Sequence, residues 1–163
     1  MKRQHLIVLL VLALTALATS CQQKTIAAKP DPLSRAYDVE TDWNDAQRQT
    51  PLNSQQAQGK RVFYAYCVWC HADSSPAGPS NRSNLTPTPP LANDGATFNP
   101  LSDEFLRNTI TLGGSAMGKS AMMPPWGRTL SQDEVQAEIT FMRAIAQPPY
   151  QPPARPAPQY SVK

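Results

Sequence analysis

Cysteine and histidine are scarce in this chain, with three of the first and two of the second among 163 residues. A structural zinc site takes four ligands, usually as two separated pairs. One cysteine and one histidine, Cys21 and His5, lie in or at the end of an N-terminal apolar segment, so a zinc site lacks its second pair. Period-two alternation of β-branched residues is also thin. That excludes a thioredoxin-like arrangement of alternating strands and helices around a Cys-x-x-Cys pair. Charge is low: the formal net value is +3, and it falls to about +1 once Lys2 and Arg3 are set aside. A polyanionic partner such as nucleic acid is therefore not indicated. The one long apolar run, residues 6–17, is about a dozen residues, short of the roughly 20 that span a bilayer.

What the sequence does contain is concentrated in Cys67-Val68-Trp69-Cys70-His71. Cys-x-x-Cys-His is the attachment pattern of a c-type haem. Two thiols three positions apart on one helical turn reach the two vinyl groups of a single porphyrin. The adjoining imidazole then faces the iron. A disulfide between Cys67 and Cys70 would close a tight loop with little to staple. The pattern predicts one haem, covalent through Cys67 and Cys70, with His71 as a metal ligand.

Lys2 and Arg3, the apolar run and the small residues Ala18, Thr19 and Ser20 form a charged, apolar and cleavable series. That is the layout of a secretory signal peptide over residues 1–20. Leu17-Ala18-Thr19-Ser20-Cys21 resembles a bacterial lipobox, although Ala18 stands where a branched apolar residue is preferred. The resemblance implies lipidation at Cys21 and an exported lipoprotein facing the periplasm or cell exterior. Stable anchoring needs more than one acyl chain. This assignment uses every cysteine: Cys21 for lipid, Cys67 and Cys70 for haem.

Four regions follow. Residues 1–20 are the signal and 21–52 a polar linker with a local contact around Trp43. Residues 53–147 form one haem domain, and 148–163 a Pro-rich extended tail. The domain reads as all-α with three main helices. The first covers residues 54–70, with Val62, Phe63, Tyr66, Cys67 and Cys70 on one face. The second is capped by Ser102, carries Asp103 and Glu104 in its first turn, and stops at Gly113-Gly114. The third opens on the capping box Ser131-Gln132-Asp133-Glu134 and carries Val135, Ile139, Met142 and Ile145. Between the first two helices, residues 72–100 form a long loop, a length that points to a functional segment. A porphyrin needs such a wrapping.

With His5 in the signal, His71 is the one histidine left, and ligation by two of the chain's own histidines is excluded by counting. Met117, Met122, Met123 and Met142 are the candidates for the far side of the iron; a thioether there raises the reduction potential. Met142 reads as core and Met117 as loop filler. Met122 and Met123 both precede Pro124-Pro125-Trp126. Met123 is favoured because the residue before proline is held extended, and Trp126 offers a flat ring beside the porphyrin. Packing roles for both methionines would leave an open iron site and a haem sensor or ligand-binding protein.

Taken together these motifs resemble the class I cytochromes c, the small His/Met electron carriers of bacterial energy chains, over residues 54–146. Gly59 and Phe63 resemble the family's first-helix Gly-x-x-x-aromatic. Gly78-Pro79 and Asn84-Leu85-Thr86-Pro87 resemble the loop after the haem motif, and Met123-Pro124-Pro125-Trp126-Gly127 resembles the axial loop. Ala72 departs from the common glycine. The resemblance implies a fold with three main helices and loops wrapped around one covalent haem. It also implies a proline carbonyl that accepts from the His71 ring; Pro89 fits best and Pro79 is the rival. The expected activity is single-electron transfer without bond-making catalysis. The expected partners are redox proteins or subunits of a membrane complex, met either as a tethered shuttle or as a fixed haem subunit.

Overall fold

The computed structural model describes residues 36–75 and 78–153. The signal peptide, Cys21 and residues 154–163 of the tail lie outside the described residues. In order, the elements are strands β1 (Asp38–Thr41) and β2 (Gln49–Leu52), helix α1 (Ser54–Val62), a π-helical turn (Phe63–Cys67) and helix α2 (Val68–His71). Two-residue strands β3 (Ser74–Ser75) and β4 (Gly78–Pro79), helix α3 (Gly95–Phe98), helix α4 (Asp103–Leu112) and helix α5 (Gln132–Ile145) follow.

Local chemistry sets the helix ends. Asn53 accepts from the Gln56 amide while Gln56 returns a bond to the Asn53 amide, a reciprocal cap that starts α1. Ser102 caps α4, and Gly113, at φ 82°, ends it in a conformation that disfavours a side chain. Ser131 and Glu134 cap α5 reciprocally. The first helix is not continuous to residue 70. The Val68 amide bonds to the Phe63 carbonyl five residues back, a wider turn that α-helical periodicity does not reveal.

α1 and α5 cross at Gly59. A Cβ there would fall on the Ala137 carbonyl oxygen and lie 2.7 Å from the Phe141 Cβ, so only glycine permits this approach. Two buried clusters share these helices. Leu52, Ala57, Phe63, Ala72, Ala92, Phe141 and Ile145 form one. Val62, Leu106, Ile110, Leu130, Val135 and Ile139 form the other. On α5 Phe141 is fully buried, whereas Met142 is only partly covered.

Three expectations are corrected. The fold is helical but not purely all-α, because β1 pairs antiparallel with β2 and β3 with β4. The linker expected over residues 21–52 includes folded structure from Asp38 onward. Leu52 is 1% exposed, and Trp43 stacks on Phe63 with ring centroids 5.5 Å apart. Glu40, also buried, accepts from Tyr64 Oη at 2.6 Å and Trp43 Nε1 at 3.0 Å, and pairs with Lys60 at 3.2 Å. These partners satisfy a carboxylate whose burial would otherwise be costly. The start of the expected tail is also engaged. The Pro148 carbonyl accepts from Asn99 Nδ2 at 2.9 Å, and the Arg143 guanidinium sits 4.1 Å from the Tyr150 ring centroid.

Leu52→Ala should cost about 2–5 kcal/mol in a denaturant titration, the range for truncating a buried leucine. A linker residue would give a change near zero.

Candidate functional site

Cys67 closes the π-helical turn, and Cys70 and His71 lie on α2 immediately after it. Both thiols are free, and Cys67 packs against the cluster that contains Phe63 and Phe141. Burial pushes the Cys67 thiol well up, and the charges of Glu138 and Cys70 add to the effect. His71 Nδ1 lies 2.8 Å from the Pro90 carbonyl oxygen. A carbonyl only accepts, so Nδ1 carries the proton, and Nε2 of the neutral ring keeps its lone pair. Burial holds the imidazole below its ordinary value and nearby Arg82 reinforces this, while the Pro90 bond opposes it. The result is an oriented, neutral imidazole, the form that ligates a metal.

The acceptor is Pro90, which corrects the expectation of Pro89; the rival Pro79 is paired in β4 with Ser74. Arg82 explains the one-residue shift. Its Nε donates to the Pro89 carbonyl at 2.7 Å, and its Nη1 pairs with Asp73 at 2.6 Å. Pro89 is thus turned toward the guanidinium and Pro90 toward His71. Backbone bonds hold the same loop in place: the Ala92 amide donates to the His71 carbonyl at 2.9 Å, and the Asn81 amide to the Trp69 carbonyl at 2.8 Å. Arg82 was not singled out from sequence. A lone arginine in a Pro/Ser/Asn-rich loop carries no periodic signal.

The methionine loop is fastened to the end of α4. The Gly114 amide donates to the Met123 carbonyl, the Trp126 amide to the Ile110 carbonyl and the Gly127 amide to the Thr111 carbonyl, at 2.9, 2.9 and 3.0 Å. Met123 and Trp126 pack against the cluster of Val62, Leu106 and Ile110, and the Trp126 ring lies 5.5 Å from that of Tyr66. Met122 is 60% exposed. Of the two adjacent thioethers, Met123 is therefore the one packed, half-buried, against the core. Met117 ends a 3₁₀ turn on the loop before it.

The donor set fits a c-type haem: two uncommitted thiols at the attachment spacing, an imidazole with its Nε2 free and a thioether in an apolar setting. The exposed large apolar side chains of the described residues point the same way. Tyr66, Trp69, Leu112 and Met122, four of the six, lie on or beside the segments that carry these donors. A flat apolar group needs such surfaces. No group of three or more His, Cys, Asp or Glu side chains that could hold a separate metal ion occurs among the described residues.

Glu138 is the second residue missed from sequence. It is 2% exposed on α5, with Oε2 unpartnered, and burial alone raises its pKa to about 8. A signal was available, because Glu138 lies three residues after Val135 on the apolar stripe.

Residues 54–142 match a protein-family model described as cytochrome c oxidase, cbb3-type, subunit III. No curated protein and no solved structure matches the chain. The matched domain binds a single covalent c-type haem and serves as an electron carrier. With more than half of its residues inside that match, the chain belongs to the cytochrome c oxidase, cbb3-type, subunit III family.

Proposed function

We propose that this protein passes single electrons at a bacterial membrane surface, through one haem held by Cys67, Cys70, His71 and Met123 and on a lipid anchor at Cys21. The observation that carries the reading is the 2.8 Å bond from His71 Nδ1 to the Pro90 carbonyl, next to two free thiols. It fixes the tautomer and aims Nε2 for ligation. When bound, the haem supplies a one-electron ferric/ferrous couple. The chain's own contribution is to bind, orient and tune. Cys67 and Cys70 form the thioether tethers, and Met123 presents its sulfur from a loop tied to α4. A thioether ligand favours the ferrous form, so this choice raises the potential. Trp126 and Tyr66 pack against each other beside the loop.

The export signal at residues 1–20 and the lipobox-like sequence before Cys21 support an exported, anchored protein. The described residues contain no helix long and apolar enough to cross a membrane. Within this reading the chain is either a tethered shuttle or a haem subunit of a respiratory complex. The subunit III match and the low mature charge favour the subunit, since low charge gives little long-range steering. Native extraction in detergent separates the two: a subunit leaves the membrane with its complex, a shuttle alone.

A pyridine haemochrome assay should report covalent haem, and Cys67→Ala together with Cys70→Ala should abolish it. Met123→Ala should remove the weak red-edge sulfur-to-iron band of the ferric protein and admit carbon monoxide to the ferrous one. Met122→Ala should leave both properties unchanged. Ready carbon monoxide binding by the unsubstituted protein would instead indicate an open iron site and a sensor or ligand-binding role. Arg82→Ala should cost about 1.5–3 kcal/mol in denaturant unfolding, the scale of a hydrogen bond to a charged group. An unchanged midpoint would show that the Pro89-Pro90 segment holds itself.

A further inference from the structure

Glu138 is a carboxyl group with no structural partner to explain it. It is one of two buried side chains with an unpartnered oxygen among the described residues. Its helix packs on α1 at Gly59, and its charge registers at the Cys67 thiol, one of the two haem attachment atoms of the proposed function. An unpaired buried carboxylate is costly unless it binds a proton or meets a compensating charge. The titratable and charged groups on the elements around α5 do not supply that charge. On α1, Lys60 is committed to Asp38 and Glu40, and Arg61 is exposed. On the π-helical turn, Tyr64 donates to Glu40, Tyr66 lies against Trp126, and Cys67 is uncharged. On α2, Cys70 is a free thiol and His71 is neutral. On α4, Asp103 pairs with Arg143, Arg107 bonds to Gln136, and Glu104 is exposed. Strand β2 has no ionisable side chain. On α5 itself, Asp133 is exposed and Glu134 caps the helix. The variable charge at hand is the haem's own. The ferric porphyrin core carries one net positive charge and the ferrous core none.

We propose that Glu138 takes up a proton when the haem is reduced, so that electron transfer by this protein is proton-linked. The inference rests on the electron-transfer reading above. The iron gains one electron from a reduced redox-protein partner. The Glu138 carboxylate gains one proton from solvent, forming an O–H bond, and on reoxidation both leave. The net charge of the buried unit therefore stays constant through the cycle. The sign follows from electrostatics. The ferric core's positive charge favours the carboxylate and lowers its pKa, and reduction removes that support and raises it. Below both values Glu138 is neutral in either oxidation state, and the potential is at its upper plateau. Above both it is ionised in either state, and the potential is at its lower plateau. Between them the potential falls as pH rises. Burial without a compensating charge sets the carboxyl near 8, so the window lies at and below about pH 8.

The test is a spectroelectrochemical titration of the haem-loaded full chain across this window, with wild type beside Glu138→Gln. Each tenfold change in Glu138 acidity between oxidation states should appear as about 59 mV between the wild-type plateaus. Glu138→Gln should lose that step and keep only what the haem propionates contribute. Redox-difference infrared spectra supply a second readout: a protonated-carboxyl band should grow on reduction in the wild type, shift in deuterated water and be missing in Glu138→Gln. Identical pH dependence in the two proteins, or a wild-type potential flat over the window, would overturn the proposal even where Glu138→Gln folds poorly. A chain without covalent haem would remove the electron-transfer reading along with this inference, whereas a haem-loaded chain with a flat potential removes this inference alone.

Discussion

The crossing of α1 and α5 at Gly59 is the constraint on which the rest of the structure depends. It brings one helix backbone against the other, with the Ala137 carbonyl occupying the space a side chain would need. Contact this close aligns Phe63 with Phe141, at a ring separation of 5.7 Å, and joins the two buried clusters along a common pair of helices. The thiol and imidazole segment continues from α1, and α4, which holds the methionine loop, packs against α5. The positions of both halves of the site therefore descend from a residue with no side chain. Interiors packed to crystal-like density transmit such a constraint because they have little free volume to absorb a shift.

Around that crossing, polar groups fix what apolar packing leaves free. Arg143 donates to the carbonyls of Phe98 and Leu101 at 2.7 and 2.6 Å and pairs with Asp103 at 2.9 Å, tying the α3–α4 connection to α5. Gln147 accepts from Arg48 and donates to Asp42, so the first hairpin and the residues after the last helix meet. Arg82 performs the same task for the loop facing His71. In each case a long side chain from one segment satisfies groups on another, which fixes register where no helix or extended sheet could. Charge-assisted bonds of this kind are among the stronger ones.

Much of this was legible in the sequence. The starts of α4 and α5 were readable because Ser102 and Ser131 place their caps within three residues of their partners. Cys67, Cys70 and His71 were readable for the same local reason, and the Met-Pro-Pro-Trp loop limited the axial candidates to two adjacent residues. What escaped depended on distant contacts. The β1–β2 hairpin carries Pro51 and shows no apolar alternation, and Glu40 is buried only because Trp43, Lys60 and Tyr64 converge on it. Choosing Pro90 over Pro89 required knowing where Arg82 reaches. The π-helical turn at residues 63–67 has no glycine or proline to mark it. Glu138 was different, since its position on the α5 stripe was visible and only its lack of a partner was not.

The order of segments along the chain adds a temporal side to the Gly59 crossing. Cys67 packs against the cluster that contains Phe141 and Ile145, residues of the last helix. In the unfolded chain both sulfurs are open to solvent, and α5 follows them in sequence. Docking of α5 on α1 is the step that encloses Cys67, so covalent attachment has its freest access before that step.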